Sequence, residues 1–107
     1  MLISGINSCT SCILHNPEKI IEIFINIEKK SYFSKLIEQN KLNNKTRLLK
    51  KSDFSKLGIK NDRFFNDIVI RREKYKPFNL EDILKNNEKS LIVVADQITD
   101  QNNLGNI

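Results

Sequence analysis

The spacing of apolar residues predicts short strands that alternate with short helices along the chain. The clearest strand is predicted over 19–28, where isoleucine occupies every second position from 21 to 27 and forms one apolar face. Ile20 and Phe24 add apolar surface to the other face. We therefore expect both faces of this strand to be covered by other elements.

The same pattern places the remaining elements around this strand. Further strands are predicted over 2–5, 46–50, 64–72 and 90–95, and helices over 7–15, 31–42, 52–57 and 78–89. Strands that alternate with helices are typical of α/β proteins, in which a helix carries the chain from one parallel strand to the next. The predicted fold is therefore α/β, with a small and mostly parallel sheet.

The charge of the chain is unevenly distributed. Residues 1–80 carry 16 Lys and Arg against 8 Asp and Glu, whereas residues 81–107 carry 2 against 5, within a net charge of +5. A basic body favours a polyanionic partner such as nucleic acid. The alternative is a lysine-rich solvated surface with no such partner.

We expect neither a membrane span nor a secretory signal in this sequence. No apolar run approaches the roughly 20 residues that cross a bilayer. No Lys or Arg precedes Lys19, so the basic start of a signal peptide is missing as well. We expect a cytoplasmic protein of one main domain with no membrane partner.

Cys9, Cys12 and His15 occur at a spacing that suits either metal or redox chemistry, or simple packing. A structural zinc site needs four ligands, and the chain has no second Cys/His pair. A reactive dithiol needs its first Cys exposed at a helix N-terminus. Gly5 lies just before the predicted helix, so Cys9 is close to its N-terminus and the redox interpretation remains an alternative. Thiols that share one helix face with Ile13 usually belong to the core, so we expect packing and no metal.

The carboxyl-terminal segment resembles a known motif. An apolar run over 91–95 is followed by Asp96, a spacer, Asp100, and then Asn103, Leu104 and Gly105. This order resembles the first motif of the SpoU family of RNA 2′-O-ribose methyltransferases. The segments 3–7, 20–27 and the one before Tyr75 resemble the small amino-terminal substrate-binding domain of that family.

The resemblance implies three parts: an RNA substrate-binding domain over 1–77, a linker helix over 78–89, and the first strand and motif of a knotted methyltransferase domain over 90–107. The family's substrate domain is similar to RNA-binding ribosomal proteins, and its substrates are rRNA or tRNA. Its catalytic domain binds S-adenosylmethionine, usually as a homodimer. The family's motif asparagine, matched by Asn103, lies near the reacting ribose.

The resemblance also implies what this chain lacks. The basic residue that follows the motif and the two later motifs that hold the methyl donor have no counterpart in the sequence. We therefore expect a truncated chain without a cofactor of its own, inactive by itself, with only the partial catalytic motif Asn103, Leu104 and Gly105. It would act as a homodimer or with a separately encoded catalytic part.

Four positions depart from the family pattern. Gln101 stands where the motif has a proline that stiffens the turn, and Asn7 stands where the family has an early histidine. Asn66 and Asp67 replace the Gln-Gly pair of a His-Gln-Gly segment, which removes a flexible glycine. A stand-alone RNA-binding module and a decayed gene fragment therefore remain alternatives to a working substrate domain.

Two basic clusters are the candidate RNA contacts. They are Arg47, Lys50 and Lys51, and Arg71, Arg72, Lys74, Tyr75 and Lys76. Lys and Arg would bind phosphate, and an exposed tyrosine among them would stack on an unpaired base. The second cluster forms one surface only if its strand ends near Arg72, because neighbouring strand residues point to opposite faces. Solvated strand ends are the alternative.

Overall fold

The computed structural model describes residues 1–57, 67–86 and 89–105. Residues 58–66, which include the predicted Phe64 start of one strand and the departure at Asn66, lie outside the described residues. The chain divides into two compact units, Met1–Tyr75 and Lys76–Ile107.

The first unit is a mixed α/β domain. Its strands are β1 (Leu2–Ser4), β2 (Ile20–Asn26), β3 (Thr46–Leu49) and β4 (Ile68–Arg72), and its α-helices are α1 (Ile6–His15) and α2 (Lys30–Gln39). Short 3₁₀ helices span Pro17–Lys19, Ile27–Lys29, Asn43–Lys45 and Lys51–Leu57. The α/β class predicted from the sequence is confirmed.

The sheet has the strand order β1-β4-β2-β3 and is not mostly parallel, so that part of the prediction was wrong. β2 and β3 pair in parallel, whereas β4 is antiparallel to both β1 and β2. Strands β1, β2 and β3 thus share one direction, as crossover helices between them require. β4 alone is reversed, and because it lies between β1 and β2 it makes two of the three pairings antiparallel.

A β-bulge in β2 changes the predicted faces of that strand. Ile20 pairs with Arg72 and Glu22 pairs with the next residue, Arg71, so the intervening Ile21 has no partner in the β4 ladder. The extra residue reverses the alternation at the start of the strand. Ile20 therefore joins the buried face of Ile23 instead of the opposite face, and Ile21 is exposed.

The larger core lies between this face of the sheet and the two helices. Its buried members are Cys9, Cys12, Ile13, Ile20, Ile23, Ile25, Phe33, Ile37, Leu42, Ile68 and Ile70. α1 contributes residues at i, i+3 and i+4, and α2 contributes Phe33 and Ile37, which are four apart and lie on one helix face. The helical spacing in the sequence predicts these buried faces correctly.

A smaller core covers part of the other face of the sheet. Phe24 of β2 and Val69 of β4 pack with Phe54 from the 3₁₀ helix Lys51–Leu57, and Leu49 and Leu57 add to the cluster. Since this 3₁₀ helix has only seven residues, its two apolar residues reach only one end of the face. The other end of the same face carries charged side chains.

The second unit differs from the sequence prediction. α3 (Leu80–Asn86) lies inside the segment predicted as a linker helix. The strand predicted over 90–95 is not formed, and residues 89–100 contain neither helix nor strand. Leu91 is 93% exposed and Val94 is 83% exposed. A strand needs a hydrogen-bonded neighbour, and apolar β-branched composition does not supply one. α4 then spans Gln101–Gly105.

Candidate nucleic-acid interface

The structure brings one arginine from each predicted basic cluster to the same carboxylate. Arg47 Nε lies 3.0 Å from Glu22 Oε1, and Arg71 Nη1 lies 3.0 Å from Glu22 Oε2. Glu22 is in register with Arg71, and Phe24, two residues further along β2, is in register with Arg47. The three charged side chains therefore lie on the Phe24 face of the sheet, on three neighbouring strands. We call Arg47, Glu22 and Arg71 the arginine triad.

The triad occupies the end of the face that the small core leaves open. The Arg71 guanidinium carbon lies 5.6 Å from the centroid of the Phe24 ring, within the range of a cation–π contact. Phe24 is itself buried with Phe54 and Val69. The ring thus links the small core to the triad and fixes the position of one of its two cations.

The triad carries one positive charge in total and remains accessible. The Arg47 side chain is 70% exposed and that of Arg71 is 46% exposed. Ion pairs this exposed are screened by solvent, and each contributes about 0–1 kcal/mol to stability. A guanidinium has several N–H donors, and the contacts to Glu22 use only part of them. Both arginines can therefore hold an anion without leaving Glu22.

Arg72 is separated from Arg71 by the alternation of β4. It shares the face of Ile70, which belongs to the large core, so it is directed away from the triad. Its Nε donates to the Glu73 carbonyl at 3.3 Å, and its backbone N–H donates to the Met1 carbonyl at 2.9 Å. The second predicted cluster is thus divided between the two faces of the sheet.

The other predicted RNA contacts flank the strands. Lys50 follows β3 and Lys51 begins the 3₁₀ helix, and both are exposed. Lys74 and Tyr75 follow the end of β4 at Arg72 and are also exposed. The strand therefore ends at Arg72, but Arg71 and Arg72 still lie on opposite faces, so the cluster does not form one surface. Lys76 is exposed and belongs to the second unit.

The residues that carry the SpoU resemblance lie in several places. Asn103, Leu104 and Gly105 fall in the last turn of α4, where Leu104 is half exposed. Asn7 is an exposed residue of the first turn of α1. The Asp67 backbone carbonyl accepts the Asn26 backbone N–H at 2.9 Å just before β4 begins, a contact that does not depend on the side chain at this position.

Cys9 and Cys12 are free and buried in the large core, as packing predicts. Burial raises the pKa of the Cys9 thiol from 9.0 to about 12, and the neighbouring Cys12 adds to that rise. His15 is exposed at the last residue of α1. Among residues 1–57, 67–86 and 89–105, no group of three or more His, Cys, Asp or Glu side chains could hold a metal ion.

The thiols should be inert in the native protein. We expect the thiol reagent DTNB at pH 8 to modify neither cysteine until the chain is unfolded, because both thiols are buried where the reagent does not reach them. Above pH 9 the unfolded chain loses the Cys9 proton while the folded chain keeps it, so stability falls between pH 9 and about 12. Chemical denaturation at pH 8 and pH 10 measures this loss. If a Cys9→Ala variant lost as much stability between pH 8 and pH 10, the Cys9 thiol would not be the cause of the pH dependence.

Comparisons with known proteins identify no relative. No family model matches the chain, and no curated protein or solved structure matches it either. In the part of the chain that the structure describes, none of the helices has the length and apolar character needed to cross a membrane.

Glu22 was not among the site residues predicted from the sequence. The signal was the presence of one carboxylate among the isoleucines of the most apolar strand. Its partner Arg71 is 49 residues away in the chain, so the contact depends on strand order. Periodicity within one strand does not contain that order.

Proposed function

We propose that this chain is an RNA-binding, substrate-recognition domain of the SpoU type, acting on rRNA or tRNA. The observation that carries the proposal is the convergence of Arg47 and Arg71 on the open end of a sheet face. Two guanidiniums from strands on either side of β2 present fixed donors, and phosphate is the anion that their planar, forked geometry suits. The surplus of positive charge in residues 1–80 favours the same class of partner.

The proposal assigns RNA binding to this chain and no methyl transfer. The family's donor, S-adenosylmethionine, needs a concave site that buries most of its surface. The described residues do not fit that requirement in the second unit, where residues 91–100 are exposed. The donor and the reaction would belong to a separately encoded catalytic part, and the partners of this chain would be that part or a second copy of itself. A cytoplasmic location is part of the proposal, and two free cysteines agree with a reducing compartment.

A stand-alone RNA-binding module is the second candidate function. The described buried hydrophobic residues all lie between Cys9 and Ile70, within the unit Met1–Tyr75. A unit that contains its own core can bind RNA without the rest of a methyltransferase. Both candidates place RNA at the arginine triad, so the first experiment tests them together.

Titration of the protein into a fluorescein-labelled, unstructured single-stranded RNA tests the function. We expect fluorescence anisotropy to show binding at about 50 mM salt and a loss of at least about tenfold in affinity at about 200 mM, because phosphate contacts release counterions. DNA of the same sequence reports any contribution of the ribose hydroxyl. Absence of RNA binding at low salt would overturn both candidate functions.

S-adenosylmethionine provides a control that tests whether this chain binds the methyl donor itself. Added at millimolar concentration, it should change neither the anisotropy curve nor the melting temperature, since a ligand stabilises only the state that binds it. A rise in melting temperature with S-adenosylmethionine would instead show a donor site within this chain.

A further inference from the structure

An open pocket with a volume of about 200 Å³ lies beside β3, on the face of the sheet that α2 covers. Its apolar lining consists of Ile25 from β2, Ile37 from α2 and Leu48 from β3. Ile25 and Ile37 belong to the large core, whereas Leu48 is partly exposed at the edge strand. The pocket is therefore a gap in the cover of the sheet edge, with a floor of buried side chains.

Hydrogen-bond acceptors and donors complete the lining of the pocket. Ser34 and Thr46 use their hydroxyl protons on the Ser31 and Leu42 carbonyls, at 3.0 Å and 2.8 Å, so their oxygens remain available as acceptors. A second pair of lining residues adds donors.

Lys30 and Asn43 supply those donors. In the described part of the chain neither the Lys30 ammonium nor the Asn43 amide has a side-chain partner. The amide can both donate and accept, and the ammonium carries a full positive charge. An occupant that fits these groups has a flat or compact apolar body, a polar edge with donors and acceptors, and a nearby negative charge.

We propose that this pocket receives one unpaired base of a bound RNA, with Lys30 at the adjacent phosphate. This inference rests on the proposed RNA-binding function and extends it from phosphate contact to base contact. Drug-sized ligands occupy pockets of roughly 300–1,000 Å³, so a cavity of this size suits a single base. Base edges offer donors and acceptors, and their faces pack on apolar side chains.

The position of the pocket connects it to the arginine triad. Arg47 and Leu48 are consecutive residues of β3, and consecutive strand residues point to opposite faces. β3 is the last strand in the sheet order. An RNA strand that crosses this edge meets Arg47 on one side and the pocket on the other. The pocket at this edge would thus contact a base, whereas the arginine triad would contact only the phosphate backbone of the RNA.

Methyl NMR spectra of the protein with nucleotide monophosphates test the pocket directly. We expect adenosine or uridine 5′-monophosphate to shift the methyl signals of Ile25, Ile37 and Leu48. Ribose 5-phosphate, which lacks the base, should leave them in place. Equal shifts with ribose 5-phosphate, or no shift with any nucleotide, would overturn the proposal.

Variants of exposed lining residues test the pocket in the RNA complex. Asn43→Ala should lower RNA affinity by about two- to tenfold, the range for loss of one hydrogen bond. The loss should vanish when the RNA is replaced by an abasic strand of equal length. Lys30→Gln should also weaken binding, whereas Lys35→Gln, an equal charge change elsewhere on α2, should weaken it less.

The outcomes separate this inference from the proposed function. If Arg47 and Arg71 variants weaken RNA binding and the pocket variants do not, the base pocket fails and RNA binding stands. If nucleotides shift the pocket methyls while RNA does not bind, the pocket stands as a nucleotide site and the RNA function fails. Binding of an apolar peptide in place of nucleotides would assign the pocket to a protein partner and overturn the inference.

Discussion

Replacing Phe33 by alanine should lower the free energy of unfolding by about 3–5 kcal/mol, the range for deletion of a buried phenylalanine side chain. Phe33 is 1% exposed and belongs to the large core, where α2 packs on the sheet. The loss combines the transfer of the ring out of the core with the cavity left behind. Small domains are stable by about 5–15 kcal/mol, so this change removes a large part of the total.

Tyr32 offers a matched control next to Phe33. Its ring is 67% exposed and contacts the Phe33 ring edge-on, with 4.9 Å between the centroids. Tyr32→Ala should therefore cost less than about 1.5 kcal/mol, the upper value for one aromatic pair. Phe33→Leu keeps most of the apolar volume and should remain folded if Phe33→Ala does not. Urea denaturation at neutral pH measures all three.

A small effect of Phe33→Ala would contradict the packing of α2 on the sheet. A Phe33→Ala variant within about 1 kcal/mol of the parent protein would mean that α2 does not seal the core. Tyr32→Ala and Phe33→Ala would then have similar effects. A larger loss in Phe33→Ala than in Phe33→Leu supports the burial of the ring, because alanine leaves the larger cavity.

The elements with strong local periodicity were predictable from the sequence. α1 places Cys9, Cys12 and Ile13 on one buried face, because residues three and four apart share a helix face. β2 lies inside the segment predicted as the clearest strand. In both cases the local pattern and the tertiary burial require the same residues to be apolar.

Long-range pairing was not predictable from the same pattern. The position of β4 between β1 and β2 depends on which strands bind each other, and periodicity reports only which residues of a strand face the core. The bulge at Ile21 likewise appears only in the register with β4. The arginine triad depends on both features, since it joins residues of β2, β3 and β4. The sequence therefore identified its two arginines as candidates without bringing them together.

In the segment 90–95 the sequence predicts a strand that the structure does not contain. Its four consecutive apolar residues, Leu91 to Val94, predict a buried strand, yet these side chains are exposed. Composition identifies segments that can form a strand, and the formation of the strand depends on a neighbouring edge. The same composition makes the segment suited to pairing with another chain.

The double variant Arg47→Gln, Arg71→Gln should lower RNA affinity on the order of a hundredfold at low salt. Hydrogen bonds to charged groups contribute about 1.5–3 kcal/mol each, and about 1.4 kcal/mol corresponds to tenfold. The salt dependence should become shallower, by about 0.7 in the logarithmic slope for each phosphate contact that is lost. Anisotropy titrations across a salt series measure both quantities.

A control variant separates this effect from a general loss of charge. Lys35→Gln, Lys41→Gln removes the same two positive charges from exposed positions away from the triad. If the two double variants weaken binding equally, the interaction is with the net charge of the domain and the triad is not the site. A much larger loss in the arginine variant locates the RNA on the triad.

Glu22→Gln should change RNA affinity in the opposite direction to the arginine variants. It removes the carboxylate that holds both guanidiniums, so stability should fall by about 1–2 kcal/mol at most, given the exposure of the two ion pairs. RNA affinity should nevertheless rise severalfold, since the site gains one unit of positive charge and frees donors for phosphate. A variant that is less stable yet binds more tightly is hard to explain by partial unfolding. Weaker RNA binding by Glu22→Gln would instead mean that the carboxylate positions the arginines for the RNA, and that its charge is the smaller effect.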